Sequence, residues 1–600
     1  MMRRPFGWIL LSGVLLSFSP ALFAQDDAKK EEEPPPRKKV SYAHIELKGS
    51  FPEGAAAPGL FGEVVENLDA ALARFKKASE DDKITGVILH LDNASVGWAK
   101  VNELRSAIAK VRAKNKPVYA WMESASTQDY LIASACDRVV LPESGVLMMP
   151  GLRAEIMFYK KLFDWLQIEP EMLRVGEFKS AAEPYTRSEM SPQFREEMEA
   201  VLDGFYAYIV ETIAASRKLP EAQVKEAIDA GVMTAAEAKK RGLIDDIGYE
   251  DSLEKLIVGD KPLDLKVVKA YGKKKLDTDF SGMAGMIKMM NLLTGGDQPV
   301  RKSSAPKLAV ISAVGAIMPG PSTMDLFGET TMGSATMIKA IRQARDDDTV
   351  KAIVLRVDSP GGSALASDLM WHELETVKKP FVVSMGDTAA SGGYYIAMGA
   401  DRIFAEPGTI TGSIGVVGGK IAIEKAMARI GVTTSVVQRG KNTGVLSMTS
   451  PFTDSERETM QKLMNDIYAQ FTQKAAAGRK MDVEKLEKLA RGRIYTGKQA
   501  KEIGLIDDLG TLDDAIAYAK KAAGVENEKL ERLNLPKAAN PFEQLFGSLD
   551  SETHTQSSLL KDGLAQLPEP MQQSLRGLRV LQVLAREPAL TLMPFRLIVR

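Results

Sequence analysis

Two motifs built from small residues are the parts of this sequence best suited to chemistry. Ser391 lies in the run Thr388-Ala389-Ala390-Ser391-Gly392-Gly393-Tyr394, after an apolar stretch and where a helix is expected to begin. There the free N–H groups of a helix favour the negative charge that develops when a serine hydroxyl attacks a carbonyl. An ordinary N-cap serine is the alternative for this motif taken alone.

A pair of glycines follows an earlier strand-like run. It lies in Asp358-Ser359-Pro360-Gly361-Gly362-Ser363. Paired glycines after a strand let the backbone approach a ligand and direct N–H groups at an anion or oxyanion, which a Cβ would obstruct. A plain turn before a helix is the alternative.

A serine nucleophile needs a base, and the sequence offers histidines and lysines. The four histidines are widely scattered, at His44, His90, His372 and His554. No motif supports a Ser-His-Asp triad. A lysine serves instead when burial lowers its pKa and leaves a neutral amine. Two lysines have a suggestive context, Lys179 in Gly176-Glu177-Phe178-Lys179-Ser180-Ala181 and Lys441 in Arg439-Gly440-Lys441-Asn442. A solvated surface lysine is the alternative for each.

An internal repeat organises the chain around these motifs. Tyr130–Arg138 matches Tyr394–Arg402 at an offset of 264 residues, and Gly242–Asp246 recurs unchanged as Gly504–Asp508 at an offset of 262. Offsets this similar indicate tandem copies of one domain. At the first offset the position of Ser391 is held by Thr127 in the first copy. The first copy is therefore predicted to be degenerate for the nucleophile.

Each copy is predicted to be an α/β layer structure with a mostly parallel sheet. The apolar runs Ile84–Leu91 and Lys351–Val357 open the copies, and a helical stretch and a second strand follow, at Pro117–Trp121 and Pro380–Met385. Continuous apolar runs suit strands covered on both faces, and the strand–helix–strand order favours parallel pairing.

The chain is predicted to have six parts. These are a signal peptide or membrane anchor (1–24), a charged Pro-rich tether (25–39), the first copy (40–270), a linker (271–306), the second copy (307–522) and a C-terminal tail (523–600). Arg3-Arg4, the apolar run Phe6–Phe18 and the small Ala24 are typical of a secretory signal cleaved near Ala24. An uncleaved anchor over Pro5–Ala24 is the alternative. Both alternatives predict a protein that works outside the cytosol.

The composition excludes several classes of function. Hydrophobic residues make up 45% and charged residues 26%, which is average for soluble globular proteins. The 78 Lys and Arg residues balance 79 Asp and Glu residues, for a net charge of -1, which argues against nucleic acid as a partner. Cys136 is the single cysteine, so one chain can form neither an internal disulfide nor a thiolate metal cluster.

These features resemble the long form of the signal peptide peptidase A family, also called protease IV, which are serine peptidases of the Clp protease and crotonase superfamily. The match covers residues 40–520 approximately. Besides the two small-residue motifs it rests on Thr411-Gly412-Ser413-Ile414-Gly415-Val416 and on the run Gly176–Pro184. The resemblance implies an α/β fold with two tandem Clp protease/crotonase-like domains.

The resemblance also implies roles for individual residues. Ser391 would be the nucleophile, Lys179 of the first copy the general base, and Ser413 the residue that orients the lysine. Short family members with one copy take the lysine from their own domain, which keeps Lys441 as an alternative. We favour Lys179 because Gly-x-x-Lys-Ser-Ala is the long-form pattern.

Two glycines complete the implied site, since the N–H groups of Gly361 and Gly392 would form the oxyanion hole. The resemblance implies neither a metal nor an organic cofactor.

The implied activity is that of an exported Ser-Lys endopeptidase that degrades cleaved signal peptides and misfolded exported peptides at the membrane. The family resemblance further implies a membrane-associated homotetramer in the periplasm that admits extended peptides. A non-catalytic peptide-binding scaffold and a crotonase-type acyl-CoA enzyme are the alternatives. Export argues against the second, because CoA is a cytosolic cofactor.

Overall fold

The computed structural model describes most of both copies. It covers residues 38–54, 66–259, 261, 263–273, 283, 303–323, 330–537 and 589–592. The predicted signal peptide or anchor and the tether up to residue 37 lie outside the described residues. Among the helices of the described residues, none combines the length and the apolar character needed to cross a bilayer.

The first copy alternates strands and helices. Its strands are β1 (Lys38–Ser50), β2 (Gly86–Ser95), β3 (Val118–Trp121), β4 (Ser124–Ala125), β5 (Arg138–Leu141), β6 (Val146–Met148), β7 (Glu169–Val175), β8 (Val232–Thr234), β9 (Asp246–Ile247) and β10 (Leu263–Val268). Its helices are α1 (Leu68–Glu80), α2 (Trp98–Arg112), α3 (Thr127–Ala133), α4 (Lys160–Leu166), α5 (Glu183–Thr186), α6 (Pro192–Arg217), α7 (Glu221–Ala230), α8 (Ala235–Lys240) and α9 (Leu253–Val258).

The second copy repeats this alternation. Its strands are β11 (Lys307–Val314), β12 (Ala316–Met318), β13 (Thr331–Gly333), β14 (Val350–Ser359), β15 (Gly361–Ser363), β16 (Phe381–Ala390), β17 (Arg402–Ala405), β18 (Ile410–Gly412), β19 (Val416–Ala422), β20 (Ile494–Thr496), β21 (Asp508–Leu509) and β22 (Glu531–Leu535), followed by β23 (Ala589–Leu592). Its helices are α10 (Ser334–Asp346), α11 (Ala364–Glu375), α12 (Gly392–Tyr395), α13 (Glu424–Arg429), α14 (Asp454–Arg479), α15 (Val483–Leu489), α16 (Gly497–Glu502) and α17 (Leu512–Ala522).

The main sheets of the two copies share one strand order. The first sheet runs β10-β1-β2-β3-β5-β9, and the second contains the matching order β22-β11-β14-β16-β17-β21, with β18 and β20 added beside β16. All pairs of the first sheet and all matching pairs of the second are parallel. The predicted α/β tandem repeat with mostly parallel sheets is confirmed.

Apolar side chains cover both faces of the central strands, as their continuous apolar runs predict. On β2, Val87 and Leu89 belong to one buried cluster while Ile88 belongs to another on the opposite face. On β14, Leu355 and Val354 divide in the same way between two clusters. Alternate residues of a strand point to opposite faces, so each main sheet is sandwiched between helical layers.

The two main sheets extend beyond the residues 40–270 and 307–522 that the sequence predicts for the two copies. β1 and β11 precede the strands that were expected to open the copies, and β1 begins at Lys38, inside the predicted tether. The lysines at the start of β1 gave no apolar signal for a strand. In the structure Lys38 nevertheless pairs in register with Leu263 of β10. The second copy also continues past residue 522, because β22 pairs with β11 at the sheet edge. Its mostly polar sequence suits an exposed edge strand and gives little apolar signal.

A third sheet joins the two copies. Its order is β13-β12-β15-β23-β19-β7, and it combines β7 of the first copy with strands of the second. β7 and β19 are antiparallel along seven residue pairs, from Glu169 opposite Ala422 to Val175 opposite Val416. This cross-copy pairing fixes the position of the residues that follow β7 relative to those that precede β19.

Candidate active site

Ser391 follows β16 directly and has a backbone conformation that is rare for a residue with a side chain. Its φ is 57° and its ψ is −114°, and its N–H donates to the carbonyl oxygen of Gly412 at 2.8 Å. The residue is fully buried, and α12 begins at the next position, although that helix has only four residues. Such strained conformations persist where the surroundings enforce them, and they concentrate at functional sites.

Lys179 brings a buried amine to this serine. Its Nζ lies 2.7 Å from Ser391 Oγ, and it donates to the backbone oxygen of Ser413 at 2.9 Å and to the Ser413 hydroxyl at 3.0 Å. All three partners are uncharged oxygens. Burial lowers the pKa of Lys179 from 10.5 to about 7, and the nearby Glu197 opposes that shift. A substantial share of the amine is therefore neutral near pH 7 and able to accept a proton.

The pairing of β7 with β19 explains why two residues so far apart in the chain meet. Val175 at the end of β7 lies opposite Val416 at the start of β19. Lys179 follows β7 by four residues and Ser413 precedes β19 by three, so both lie at the same end of the ladder. Ser413 in turn follows β18, which pairs with the end of β16 that carries Ser391.

A turn of the second copy, residues 490–493, binds both the loop that carries Lys179 and the loop that carries Ser413. The Phe178 N–H donates to the carbonyl oxygen of Arg491 at 2.9 Å, and the Ser413 N–H donates to that of Arg493 at 2.7 Å. The Arg493 guanidinium also stacks on the Phe178 ring at 3.7 Å. This turn gives no signal in the sequence, because two arginines flanking a glycine are common at protein surfaces.

Gly492 in that turn makes room for the lysine backbone. Its φ is +85°, and a Cβ at this position would stand 2.5 Å from Lys179 N and 2.7 Å from Lys179 Cα. Backbone atoms cannot yield as a side chain can, so this close contact requires a glycine.

The two predicted oxyanion glycines lie side by side next to the serine. A Cβ on Gly361, whose φ is +94°, would stand 2.7 Å from the Gly392 nitrogen and 3.1 Å from the Ala390 carbonyl oxygen. The Gly361 N–H donates to Ser359 Oγ at 3.2 Å, at the long end of the normal range. The absence of a Cβ at Gly361 therefore permits a close approach of backbone segments beside Ser391.

The other candidate bases lie away from these contacts. Lys441 is exposed in a turn, whereas Lys179 is fully buried. His372 lies within α11, and His44 and His90 pack as a tilted pair in β1 and β2 of the first copy, with ring centroids 6.0 Å apart. His554 lies outside the described residues. The hydrogen-bond partner of Ser391 Oγ among the described candidates is Lys179.

The corresponding region of the first copy holds larger or charged groups. Thr127 stands at the position of the serine, and Met149, which is buried, stands at the position of Ser413. Asp129 replaces a glycine, and its carboxylate accepts the Ala94 N–H at 2.9 Å. A carboxylate and a methionine thus fill the space that the second copy leaves to small residues.

Glu197 of α6 is a buried carboxyl beside the lysine that the sequence analysis did not identify. It accepts the Ile494 N–H at 2.7 Å and the Ser180 hydroxyl at 3.2 Å. Burial raises the pKa of Glu197 to about 8, against the opposing effects of these hydrogen bonds and of Lys179. The sequence offers no signal for it, since Glu197 lies in an amphipathic helix among several other glutamates.

A protein-family model and several proteins match this chain. The model of peptidase family S49 matches residues 110–260 and 373–526, one stretch in each copy. "Serine protease SPPA, chloroplastic" from Arabidopsis thaliana is 33% identical over 527 residues, which cover 87% of this chain and 74% of that protein. "Protease 4" from Salmonella typhi is 32% identical over 536 residues, covering 86% of this chain and 82% of its own.

A protein that matches less than half of this chain and a solved structure are also similar to it. A putative protease from Synechocystis is 35% identical over 264 residues, which are 44% of this chain but 90% of that protein. Among solved structures, a mutant ClpP1 from Listeria monocytogenes covers 34% of this chain and 94% of its own, at 15% identity and a TM-score of 0.23.

Proposed function

The chain belongs to peptidase family S49 and is a serine protease of the signal peptide peptidase A family, and from that premise we propose that Ser391 and Lys179 form its catalytic dyad. The observation that carries this proposal is the 2.7 Å distance between Lys179 Nζ and Ser391 Oγ in a fully buried site. A general base needs this proximity first and a suitable pKa second, and the lowered pKa of the lysine supplies the second condition.

The proposed reaction is acyl transfer to the serine followed by hydrolysis. The neutral Lys179 amine takes the proton of Ser391 as Oγ forms a bond to the peptide carbonyl carbon. When the C–N bond breaks, the lysinium returns that proton to the leaving amine. Water then attacks the acyl-serine with the same lysine as base, and the acid product leaves. The two contacts with Ser413 hold the amine in line with Oγ throughout.

Backbone N–H groups of Gly392 and Gly361 are the proposed oxyanion hole. Both glycines lie beside Ser391, and the absence of a Cβ lets other backbone groups approach them closely. The Gly361 N–H would exchange its 3.2 Å bond with Ser359 for a bond to the charged oxygen, which is the stronger acceptor.

The proposed substrates are cleaved signal peptides and misfolded exported peptides, degraded at the membrane in the periplasm. The sequence of residues 1–24 supports export, as a cleaved signal or an inner-membrane anchor, and the family resemblance supports the substrate class. The full burial of Ser391 favours extended chains, since a folded domain cannot bring a peptide bond to a buried hydroxyl.

We propose a homotetramer, and exposed apolar side chains support this assembly. Trp165 of α4 and Ile430 after α13 are 65% and 72% exposed, and Arg429 connects their helices by covering the Trp165 ring at 5.7 Å. Ile430→Asp should lower the mass measured by light scattering from four chains to fewer, because a charge opposes burial in an apolar interface. Val483→Asp, at another exposed apolar position, is the control. A wild-type protein that is monomeric at micromolar concentration contradicts the tetramer.

The dyad is tested by covalent labelling with a fluorophosphonate, followed by mass spectrometry. Wild type should carry the label on Ser391, and Lys179→Ala should abolish the labelling while Lys441→Ala retains it. All variants need the wild-type circular dichroism spectrum. Loss of labelling in Lys441→Ala alone would identify Lys441 as the general base. A correctly folded wild type that never labels but binds peptides would favour the non-catalytic scaffold.

A further inference from the structure

The short strand β23 occupies a place that a peptide substrate would need. It lies between β15 and β19 and is antiparallel to both. Gly361, Gly362 and Ser363 lie opposite Leu592, Thr591 and Leu590, while Val417 on the other side lies opposite Leu590. One segment of the chain therefore bridges the glycine strand and the strand that follows Ser413.

β23 also covers the glycines next to the serine. The Thr591 carbonyl oxygen stands 2.0 Å from the position of a Cβ on Gly361, and Thr591 Oγ1 stands 2.9 Å from a Cβ on Gly392. The Thr591 hydroxyl donates to the Gly362 carbonyl oxygen at 3.3 Å. The Thr591 carbonyl thus lies against Gly361 and the Thr591 hydroxyl against Gly392, the two glycines proposed to bind the oxyanion.

An apolar pocket holds the side chain of Leu590. The residue is fully buried and packs against Ala181 and Ala182, which follow the lysine, and against Val417 of β19. Met172 and Met318 border the same cluster. The pocket wall is thus built from the loop that also carries Lys179, so whatever fills it lies beside the proposed dyad.

From this arrangement we infer that Ala589–Leu592 is a ligand of the active site supplied by the chain itself, which blocks the site against peptide substrates. The inference rests on the proposed function for its catalytic consequence. An extended peptide that enters between β15 and β19 needs the same backbone N–H and C=O groups, and each strand edge can pair with one partner at a time. Because the segment belongs to the same chain, dilution does not release it.

Leu590→Asp in the full-length protein tests the competition. The carboxylate cannot enter the apolar pocket without a partner, so the variant should release the segment. If β23 fills the site in nine molecules of ten, release lowers KM for a fluorogenic peptide about tenfold and leaves kcat unchanged. Leu463→Asp is the matched control, because Leu463 is 43% exposed on α14 and should leave KM unchanged.

A synthetic peptide with the sequence of residues 586–595 completes this test. Added to the Leu590→Asp protein, it should compete with the fluorogenic substrate and raise KM again. The inference is overturned if Leu590→Asp keeps the KM of wild type, or if the variant is folded but loses kcat.

A reversible crosslink provides a second test. Val417 and Leu590 are paired across β19 and β23 and share one apolar cluster, and the single native cysteine, Cys136, is buried. In a Val417→Cys/Leu590→Cys protein, oxidation should abolish peptide cleavage and reduction should restore it, whereas neither single variant responds. Full activity of the crosslinked protein overturns the inference.

Hydrogen exchange separates this inference from the proposed function. The amides of residues 589–592 should exchange more slowly in wild type than in Leu590→Asp, whether or not Ser391 is a nucleophile. Equal exchange rates of these amides in the two proteins would contradict the binding of the segment between β15 and β19. Suppose instead that these amides exchange slowly in wild type, but that Leu590→Asp, in which the segment is released, does not react with the fluorophosphonate. That result contradicts the dyad and leaves the binding of the segment supported.

Discussion

At the scale of single residues, Lys179 illustrates how burial favours the neutral form of a lysine amine. In water a lysine keeps its proton up to a pH of about 10. Here the amine is surrounded by three uncharged oxygens of Ser391 and Ser413, which hydrogen-bond the amine without a negative charge to hold its proton. The charged form loses its hydration and gains little in return, so the neutral form is favoured near pH 7.

A pH profile of kcat/KM measures this effect. The neutral amine is the active form, so activity should rise with pH, reach half its maximum near pH 7 and stay constant above it. Glu197→Gln should move this midpoint only slightly to lower pH, because Glu197 opposes the lowering of the Lys179 pKa but, with its own pKa raised to about 8, carries little charge near pH 7. Lys441→Ala should leave the midpoint unchanged. A midpoint near pH 10 would mean that water reaches the amine in the working enzyme.

The site residues were predictable from the sequence to different degrees. The small residues around Ser391 and the paired glycines stand out, because few side chains fit where two backbones approach closely. The base was not decided by local patterns, since Lys179 and Lys441 occupy equivalent places in the repeat. Only the fold decides that one is buried and the other exposed. Glu197 gave no signal, because its burial depends on contacts with the other copy.

At the scale of elements, the turn at residues 490–493 is as important for the site as the strands are. It receives N–H groups from the loops of Phe178 and Ser413, and Gly492 lies against the backbone of Lys179. The turn thus couples the lysine loop of the first copy to the serine loops of the second. A small displacement of either loop alters the 2.7 Å contact on which the proposed proton transfer depends.

Gly492→Ala should abolish most of the activity without unfolding the protein. The added Cβ would meet Lys179 N at 2.5 Å and push the lysine away from Ser391. A misplacement of about 1 Å costs roughly a hundredfold in kcat/KM. Gly431→Ala is the matched control: Gly431 has the same φ of +85°, but a Cβ there meets nothing within 4 Å. An equal loss of activity in the two variants, measured on a fluorogenic peptide, would show that strain from a Cβ at positive φ causes the loss. The contact with Lys179 would then not be its cause.

The elements themselves were predicted unevenly. Buried strands such as β2 and β14 have continuous apolar sequences and were found, whereas β1 begins with two lysines and β22 is largely polar. These two strands owe their existence to pairing with a neighbour rather than to apolar content. Patterns along one segment cannot show such partners, because the partner lies far away in the chain.

At the scale of the whole molecule, the proposed site exists only where the two copies meet. A buried ion network holds this junction together: Arg356 of the second copy pairs with Glu53 at 2.7 Å and with Glu103 at 3.1 Å, both of the first copy. Glu103 also accepts the N–H of Leu512 at 2.8 Å. The repeat predicted two domains, but it could not predict this interface, because the residues that form it are not repeated between the copies.

Replacing Glu103 with alanine should therefore weaken the whole molecule rather than one copy. It leaves Arg356 with one carboxylate partner and Leu512 N–H with none, so we expect the free energy of unfolding in urea to fall by about 3 kcal/mol. Asp513→Ala is the matched control. Lys110 and Asp513 also bridge the two copies at 2.6 Å, but both side chains are at least half exposed, and the loss should stay below about 1 kcal/mol.

The same Glu103→Ala protein tests whether catalysis depends on the junction. Because Ser391 and Lys179 come from different copies, fluorophosphonate labelling should fall at the urea concentration where the copies separate. That concentration should be lower than in wild type and in Asp513→Ala. If labelling survives until the second copy itself unfolds, the serine does not need a base from the first copy. Loss of labelling at the urea concentration where the copies separate would show that the reactivity of Ser391 requires the junction.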